Sequence, residues 1–435
     1  MDLEALKARL ADTSALRPVG RVVAVTGLTV RLAMPGARVG DVVIVKRRGE
    51  PLYAEVVGFQ ENEAVAAAMG ELSGVGPDDS VESTGGPLQV AAGSGLIGRV
   101  LDGLGRPVDG QPLPRGLITT RLDRAPPPAL TRRRVDKPLS SGVRAIDAML
   151  TLGVGQRVGL FAGSGVGKST LLSMMARGAS ADVVVVALVG ERGREVGDFI
   201  DQALGAEGRK RTVMVVATSD APALERLRAA QVATAIAEHF RDEGATVLLL
   251  VDSVTRIARA QREIGLAAGE PPTRRGYPPS VFAMLPRLLE RSGQADKGSI
   301  TALYTVLVEG DDLEEPIADE VRGILDGHIV LDRDIFARGH YPAIDISASL
   351  SRVMDGIVGP DHRAAAGVLR ELISRHEQNR DLIGLGAYKS GVDARIDRAI
   401  SAMPDIERLL RQPARECVSF EEAVAQLRQI ASRWG

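Results

Sequence analysis

The chain has 435 residues, too many for one ordinary domain and enough for about two to four. Hydrophobic residues make up 45% and charged residues 25%, with 54 Lys+Arg against 56 Asp+Glu, which excludes wholesale disorder and gives no global basic excess for nucleic acid. The single cysteine, Cys417, excludes a disulfide framework and a cysteine-based metal cluster, and the five histidines have no metal-ligand spacing.

Along the chain, residues 2–11 are predicted as a short amphipathic helix, with Leu3, Leu6 and Leu10 at helical spacing. From Val19 to about Val90, short β-rich runs (GRVVAVTG, LTVRLAM, DVVIVKRR, LYAEVVGF, PLQVAAG) alternate with Gly, Pro and Asp, the pattern of a small β-barrel. The glycine-dense GLIGRVLDGLGRPVDG reads as the exit from it, and APPPALTRRR, with three prolines, as a stiff linker. Beyond Leu139, continuous apolar runs at 158–163, 182–191, 212–219, 245–253 and 300–310 suit strands of a parallel sheet buried on both faces. Amphipathic stretches separate the first four, the βαβ signature. From about Pro360 the chain turns helical and charged. The expected organisation is a docking segment (1–18), a β-barrel (19–92), an α/β nucleotide-binding domain with its entry linker (93–358) and a C-terminal helical domain (359–435). No run reaches the ~20 apolar residues needed to span a bilayer, and the N-terminus lacks a signal-peptide core. The expected location is cytoplasmic.

Four elements carry chemistry. Strand VGLFAG runs into Ala162-Gly163-Ser164-Gly165-Val166-Gly167-Lys168-Ser169-Thr170 and then a helix, the P-loop arrangement. Glycines let backbone amides approach phosphate, Lys168 meets the β/γ oxygens, Ser169 offers a hydroxyl to Mg²⁺, and the helix N-terminus favours negative charge. Ala162 stands where the strict pattern has glycine. LLLVDS ends an apolar strand in Asp252, expected to reach the Mg²⁺ shell from the adjacent strand tip. In VGERGREVGDF, Glu191 closes another buried strand and is placed to polarise an attacking water, with Arg192 beside it; the alternative reading is a strand-end salt bridge between Glu191 and a neighbouring Arg. In GHYPAIDISASLSRVM, Tyr341 before Pro342 is an aromatic in a fixed turn, suited to stacking on adenine. Arg352, in a Ser-rich turn, is on bare physics an ordinary surface charge.

These elements, in this order between a barrel and a helical domain, resemble the catalytic subunits of the rotary-ATPase superfamily. Within it the chain looks most like the type III export ATPases of flagella and injectisomes. The resemblance runs from about Arg17 to Trp434 and also rests on EPPTRRGYPPSVFAMLPRLLERSG and VLVEGDDLEEPIADEVRGILDGHIVLDR. It implies a Mg²⁺-dependent ATPase with a RecA-like domain. Lys168 and the P-loop bind phosphate, Ser169 and Asp252 serve Mg²⁺, Glu191 is the catalytic carboxylate and Arg192 its neighbour at the γ-phosphate. Tyr341 packs on adenine, and Arg352 is an arginine finger reaching the ATP of the adjacent subunit of a homohexamer. Implied partners are a stator-like regulator dimer at the N-terminal helix, a coiled-coil stalk in the ring's hole, membrane proteins of the export gate at the inner membrane, and chaperone–cargo complexes at the C-terminal domain. Nucleic acid is not among them. VRGILDGHIVLDR leans flagellar. The competing readings are a rotary ATP-synthase catalytic subunit, a ring RNA translocase of the termination-factor type and a non-catalytic ring scaffold. The mixed charge of GAYKSGVDARIDRAISAMPDIERLLR counts against the first, the few barrel aromatics (Tyr53, Phe59) against the second, and the joint presence of Lys168, Glu191, Asp252 and Arg352 against the third.

Overall fold

The first described strands, Val19–Thr26, Thr29–Ala33, Asp41–Lys46, Leu52–Gln60, Glu63–Ala68 and Ser80–Pro87, form a closed antiparallel barrel in this computed structural model, which describes residues 18–308, 310 and 312–435. The helix expected at 2–11 lies outside the described residues. Alternation along each strand turns Val22, Val30, Leu32, Val43, Val45 and Val81 inward, and alanines (Ala54, Ala64, Ala66) fill the narrow interior. Closure leaves no open sheet edge. Two of the six strands, Glu63–Ala68 and Ser80–Pro87, are rich in Ala, Ser and Gly and carry little β-branched signal. The PLQVAAG run is not a barrel strand. Its Gln89–Ala92 pairs with Ile118–Arg121 in a separate two-stranded sheet.

Among the described residues, the main sheet has nine strands. From one edge, its continuous order is Ile344–Ser351, Gly327–Leu331, Arg157–Ala162, Ser299–Leu307, Thr246–Asp252, Val183–Glu191, Thr212–Thr218 and Val100–Asp102. Every neighbouring pair in that order is parallel except the first. The five apolar runs of the sequence are its central strands, and Val183–Glu191 is buried along its whole length. The presumed barrel exit supplies the far edge strand, Val100–Asp102, and Asp102 turns the chain by accepting hydrogen bonds from the Leu104 and Arg106 amides. Because the strands are parallel, their C-terminal ends share one rim, where Ala162, Glu191 and Asp252 emerge.

The domains are tied by charged pairs. Arg228, on the helix Ala223–Asp242, forms a bidentate ion pair with the buried barrel residue Glu55. Burial raises the Glu55 carboxyl pKa, and Arg228 acts in the opposite direction. Below it, Arg291 pairs bidentately with Glu238 at 2.9 and 2.7 Å and donates to the Leu122 carbonyl at 2.7 Å, drawing the entry linker onto the nucleotide domain. At the other end, the Arg144 amide donates to Gln412 at 2.7 Å and its guanidinium reaches Glu416 at 2.9 Å. That contact seats the C-terminal helices Pro360–Gln378, Ala394–Leu410 and Phe420–Trp434 against the sheet domain. Among the described residues, no helix is long and apolar enough to cross a membrane.

The Glu238 and Arg291 side chains are 1% and 4% exposed, so deleting one partner leaves the other charged group buried. Arg291→Met is expected to cost about 3–5 kcal/mol, read as a lower urea midpoint. Glu238→Gln with Arg291→Met together should recover part of that loss, because no buried charge is then left alone.

Candidate active site

The strand Arg157–Ala162 delivers the phosphate loop at the C-terminal rim. Ala162 is fully buried in the core, so the methyl that replaces the strict glycine packs inward, away from the loop. Gly163 is buried, Ser164 and Gly165 are exposed, and Val166 is the loop's apolar anchor at 2% exposed. Gly165 and Gly167 have φ of 81° and 93°, the left-handed region that glycine enters without strain. Gly167 caps the helix Lys168–Gly178, whose first turn presents exposed Ser169 and Thr170.

Lys168 lies between two carboxylates. Its Nζ makes a short ion pair with Asp252 Oδ1 and lies 3.4 Å from Glu191 Oε1. Asp252 does not come from the strand adjacent to the P-loop strand, contrary to the expectation. Ser299–Leu307 lies between the two, and its Thr305 hydroxyl donates to Asp252 Oδ1 at 2.8 Å. The inserted strand thus fixes the carboxylate it separates from the loop.

Glu191 owes its direction to a local irregularity. The register between Val183–Glu191 and Thr212–Thr218 shifts between Val189 and Glu191, and Gly190 has φ 69°. A Cβ on Gly190 would stand 2.6 Å from Arg256 Cδ. The missing side chain lets Arg256, on the helix Val254–Ala267, lie 3.5 Å from Glu191 Oε1. Burial raises the Glu191 pKa, Lys168 and Arg256 lower it, and Glu195 adds to the rise; the net direction is upward. A buried carboxylate with a raised pKa beside two cations suits proton transfer or the orientation of water.

Tyr341 is part of the same region. A cavity of about 440 Å³ opens beside the P-loop helix, between Val166 and Thr170 on one side and Phe336, Tyr341, Pro413 and Ala414 on the other. Tyr341 meets Phe336 edge-to-face at 5.1 Å between centroids. The cavity's apolar walls fit a flat heterocycle, and its position suits one attached to the phosphates. Pro413 and Ala414 belong to the C-terminal domain, and nothing in their sequence marks them. Thr305, Arg256 and Phe336 are equally silent in the sequence.

Two expected site residues stand apart. The Arg192 side chain is 80% exposed and pairs with Glu195 at 3.3 Å, without contact to Lys168 or Asp252. Arg352 follows the strand Ile344–Ser351 at the opposite rim of the sheet. Its amide donates to the Asp326 carbonyl, and Asp326 in turn binds Arg157, the first residue of the P-loop strand. Five residue steps separate Arg157 from Ala162, about 17 Å at strand rise. Arg352 therefore cannot serve the phosphate loop of its own chain.

Three family models match the chain. The ATP synthase alpha/beta family nucleotide-binding domain covers residues 142–351, that family's beta-barrel domain residues 22–85, and the T3SS EscN ATPase C-terminal domain residues 358–429. The flagellum-specific ATP synthase of Bacillus subtilis is 51% identical over 421 residues, covering 96% of each chain. The type 3 secretion system ATPase of Xanthomonas euvesicatoria is 50% identical over 427 residues, covering 98% of this chain and 97% of the relative. The assembled ATPase EscN of the enteropathogenic E. coli type III secretion system superposes with a TM-score of 0.90 at 46% identity, covering 95% of this chain and all of EscN. The same ATPase in complex with its central stalk EscO gives 0.87 at 45% identity. Flagellar and injectisome relatives match equally well, so the flagellar lean of VRGILDGHIVLDR gains nothing from them. On its sequence, its three-part fold and the carboxylate–lysine cluster at its phosphate loop, the chain is an ATPase and belongs to the family of type 3 secretion system and flagellum-specific ATPases.

Proposed function

We propose that the chain hydrolyses ATP in a homohexameric ring and that this hydrolysis drives type III protein export by releasing chaperones and unfolding cargo. The observation that carries the reading is the cluster of Lys168, Glu191 and Asp252 at one strand rim, beside a cavity sized for a base. In this reading the P-loop amides and Lys168 hold the β- and γ-phosphates. Glu191 orients the water that attacks the γ-phosphorus as the bond to the ADP oxygen breaks, and it accepts the water's proton. Arg192 lies near the γ-phosphate and moves inward from its exposed position. Tyr341 packs on the adenine. The Ser169 hydroxyl and the Asp252 carboxylate are hard oxygen donors that fit Mg²⁺, which when bound neutralises charge on the phosphate oxygens.

Support for the ring comes from Arg352. A finger at the far rim can act only on a second copy's nucleotide, so the active unit needs at least two chains in head-to-tail contact, and such contacts close into rings. The likeness to an assembled EscN supports the same conclusion, and the complex of EscN with EscO supports a stalk in the ring's hole. The remaining assignments follow the resemblance: a stator-like regulator dimer at residues 2–11, export-gate membrane proteins, chaperone–cargo complexes at residues 359–435, and a cytoplasmic location at the inner-membrane export apparatus. The four-part division is carried with them at residues 18 and 358, while the last barrel strand ends at Pro87 rather than at the expected 92.

Glu191→Gln should nearly abolish turnover while leaving nucleotide affinity within a fewfold, measured by single-turnover hydrolysis and fluorescent-nucleotide titration. The raised pKa also has a consequence in the wild type. Protonated Glu191 cannot accept a proton, so activity falls as pH falls, and the acid limb of kcat/KM should lie above the ordinary glutamate value of about 4.3. A limb at or below that value would contradict the assignment.

Arg352→Ala should lose about 10³–10⁵-fold in kcat with nucleotide binding intact. Wild-type activity per subunit should rise with protein concentration as rings form. Mixing Arg352→Ala with Lys168→Ala, each inactive alone, should restore turnover, because each intact phosphate loop can then meet a neighbour's arginine. Mixtures as inactive as their components would place Arg352 outside the trans role.

A further inference from the structure

The exposed guanidinium of Arg352 is barely held. Among the described residues its single hydrogen bond runs 3.5 Å to the Arg322 carbonyl, at the limit of such a contact. Its backbone is the opposite. The Arg352 amide donates to the Asp326 carbonyl at 3.1 Å, where the strand Gly327–Leu331 begins against the end of Ile344–Ser351. The direction of this side chain is therefore set from its base, and whatever fixes the Asp326 carbonyl fixes Arg352.

Gln156 fixes that carbonyl. This fully buried side chain immediately precedes the P-loop strand Arg157–Ala162, and its whole amide is engaged. Oε1 accepts from the Gly153 amide at 2.9 Å. Nε2 donates to the Asp326 carbonyl at 3.1 Å and to the Ser351 hydroxyl oxygen at 3.2 Å. Ser351 is the residue before Arg352, and its hydroxyl donates in turn to the Thr151 carbonyl at 2.8 Å. One amide thus holds both the carbonyl that receives the Arg352 amide and the residue that leads into Arg352. A Cβ on Gly327 would stand 3.2 Å from Gln156 Nε2 and 2.5 Å from the Leu350 carbonyl oxygen, so glycine there leaves room for the amide. Burying a primary amide is costly unless its donors and its acceptor are paired. Leucine would fill the space without that cost but would not hold the carbonyl.

We infer that Gln156 is a positioning residue for the arginine finger, a reading that rests on the trans role proposed for Arg352: Gln156 serves hydrolysis at the neighbouring chain's phosphate loop, not at its own. It touches no substrate and acts through Asp326 and Ser351. A charge that acts on a transition state has to sit within about 0.5 Å of its productive place, and a misplacement of about 1 Å costs about 10²-fold in rate.

The test separates the chain that gives a finger from the chain that uses one. Lys168→Ala chains can only give and Arg352→Ala chains can only use, so their mixture sets a reference rate of phosphate release with ATP and Mg²⁺. Gln156→Leu added to the giving chain should lower the kcat of the mixture by about 10²-fold with KM unchanged. The same substitution added to the using chain should leave the mixture within a fewfold of the reference. A merely structural role gives no such asymmetry. Equal losses in both arms, or no loss in the giving arm, overturn the inference and leave the trans role of Arg352 standing. A reference mixture without activity removes the trans role, and the inference with it. Native mass spectrometry reports whether the altered chain enters mixed rings. If the Gln156→Leu chain does not, Ser351→Ala replaces it in both arms, since it removes one of the two Nε2 partners beside Arg352; the same asymmetry is expected, and its absence overturns the inference.

Discussion

Everything at the active rim depends on one ammonium group placed between two buried carboxylates. Lys168 meets Asp252 in a short ion pair and Glu191 at 3.4 Å, with Asp252 2% and Glu191 7% exposed. Either carboxylate alone at that depth would be costly, and together without a cation they would repel. Lys168 and Arg256 supply two positive charges to balance two negative ones. The balance is local and electrostatic, so the rim can exchange partners: a polyphosphate that takes over Lys168 also releases the carboxylates. Three separate segments, each rigidly held by the sheet, must therefore deliver their charges to one point. A parallel sheet does this without long loops, because its strand ends are already in register.

The sequence shows this arrangement well where chemistry and periodicity coincide. The P-loop, the apolar strands and the two strand-end acids stand out because glycine spacing, β-branched runs and a terminal carboxylate are each unusual signals. What it hides is the order of the strands. Asp252 reads as belonging next to the P-loop, yet Ser299–Leu307 separates them, and no residue pattern distinguishes a strand that inserts from one that flanks. The barrel shows the same limit. PLQVAAG looks as strand-like as its neighbours but pairs outside the barrel, while two strands poor in β-branched residues complete it: Glu63–Ala68, whose Ala64 and Ala66 fill the narrow interior, and Ser80–Pro87, which buries only Val81. The Gly190 kink that aims Glu191 was unreadable for another reason: a glycine before a strand-end acid looks like any other turn signal, and only the approach of Arg256 shows why a side chain is excluded there.

The cavity beside the P-loop helix is an extreme case, because its walls come from two domains. The P-loop helix supplies one side and Pro413–Ala414 the other, with Arg144 and Gln412 bridging the two domains below. Gln412 thus does structural work at the domain junction, which withdraws its amide from the cavity.

The opposite rim completes the logic of the fold. Arg352 and Asp326 are anchored to Arg157, the first residue of the very strand whose last residue, Ala162, opens the phosphate loop. One strand, about 17 Å long, therefore joins the phosphate loop to the rim that carries Arg352. A buried strand paired on both sides, as this one is with Ser299–Leu307 and Gly327–Leu331, resists shear along its axis. Under the proposed trans role of Arg352, the phosphate loop of a chain and the residue it offers its neighbour are therefore joined by a stiff element, with no need of a flexible relay.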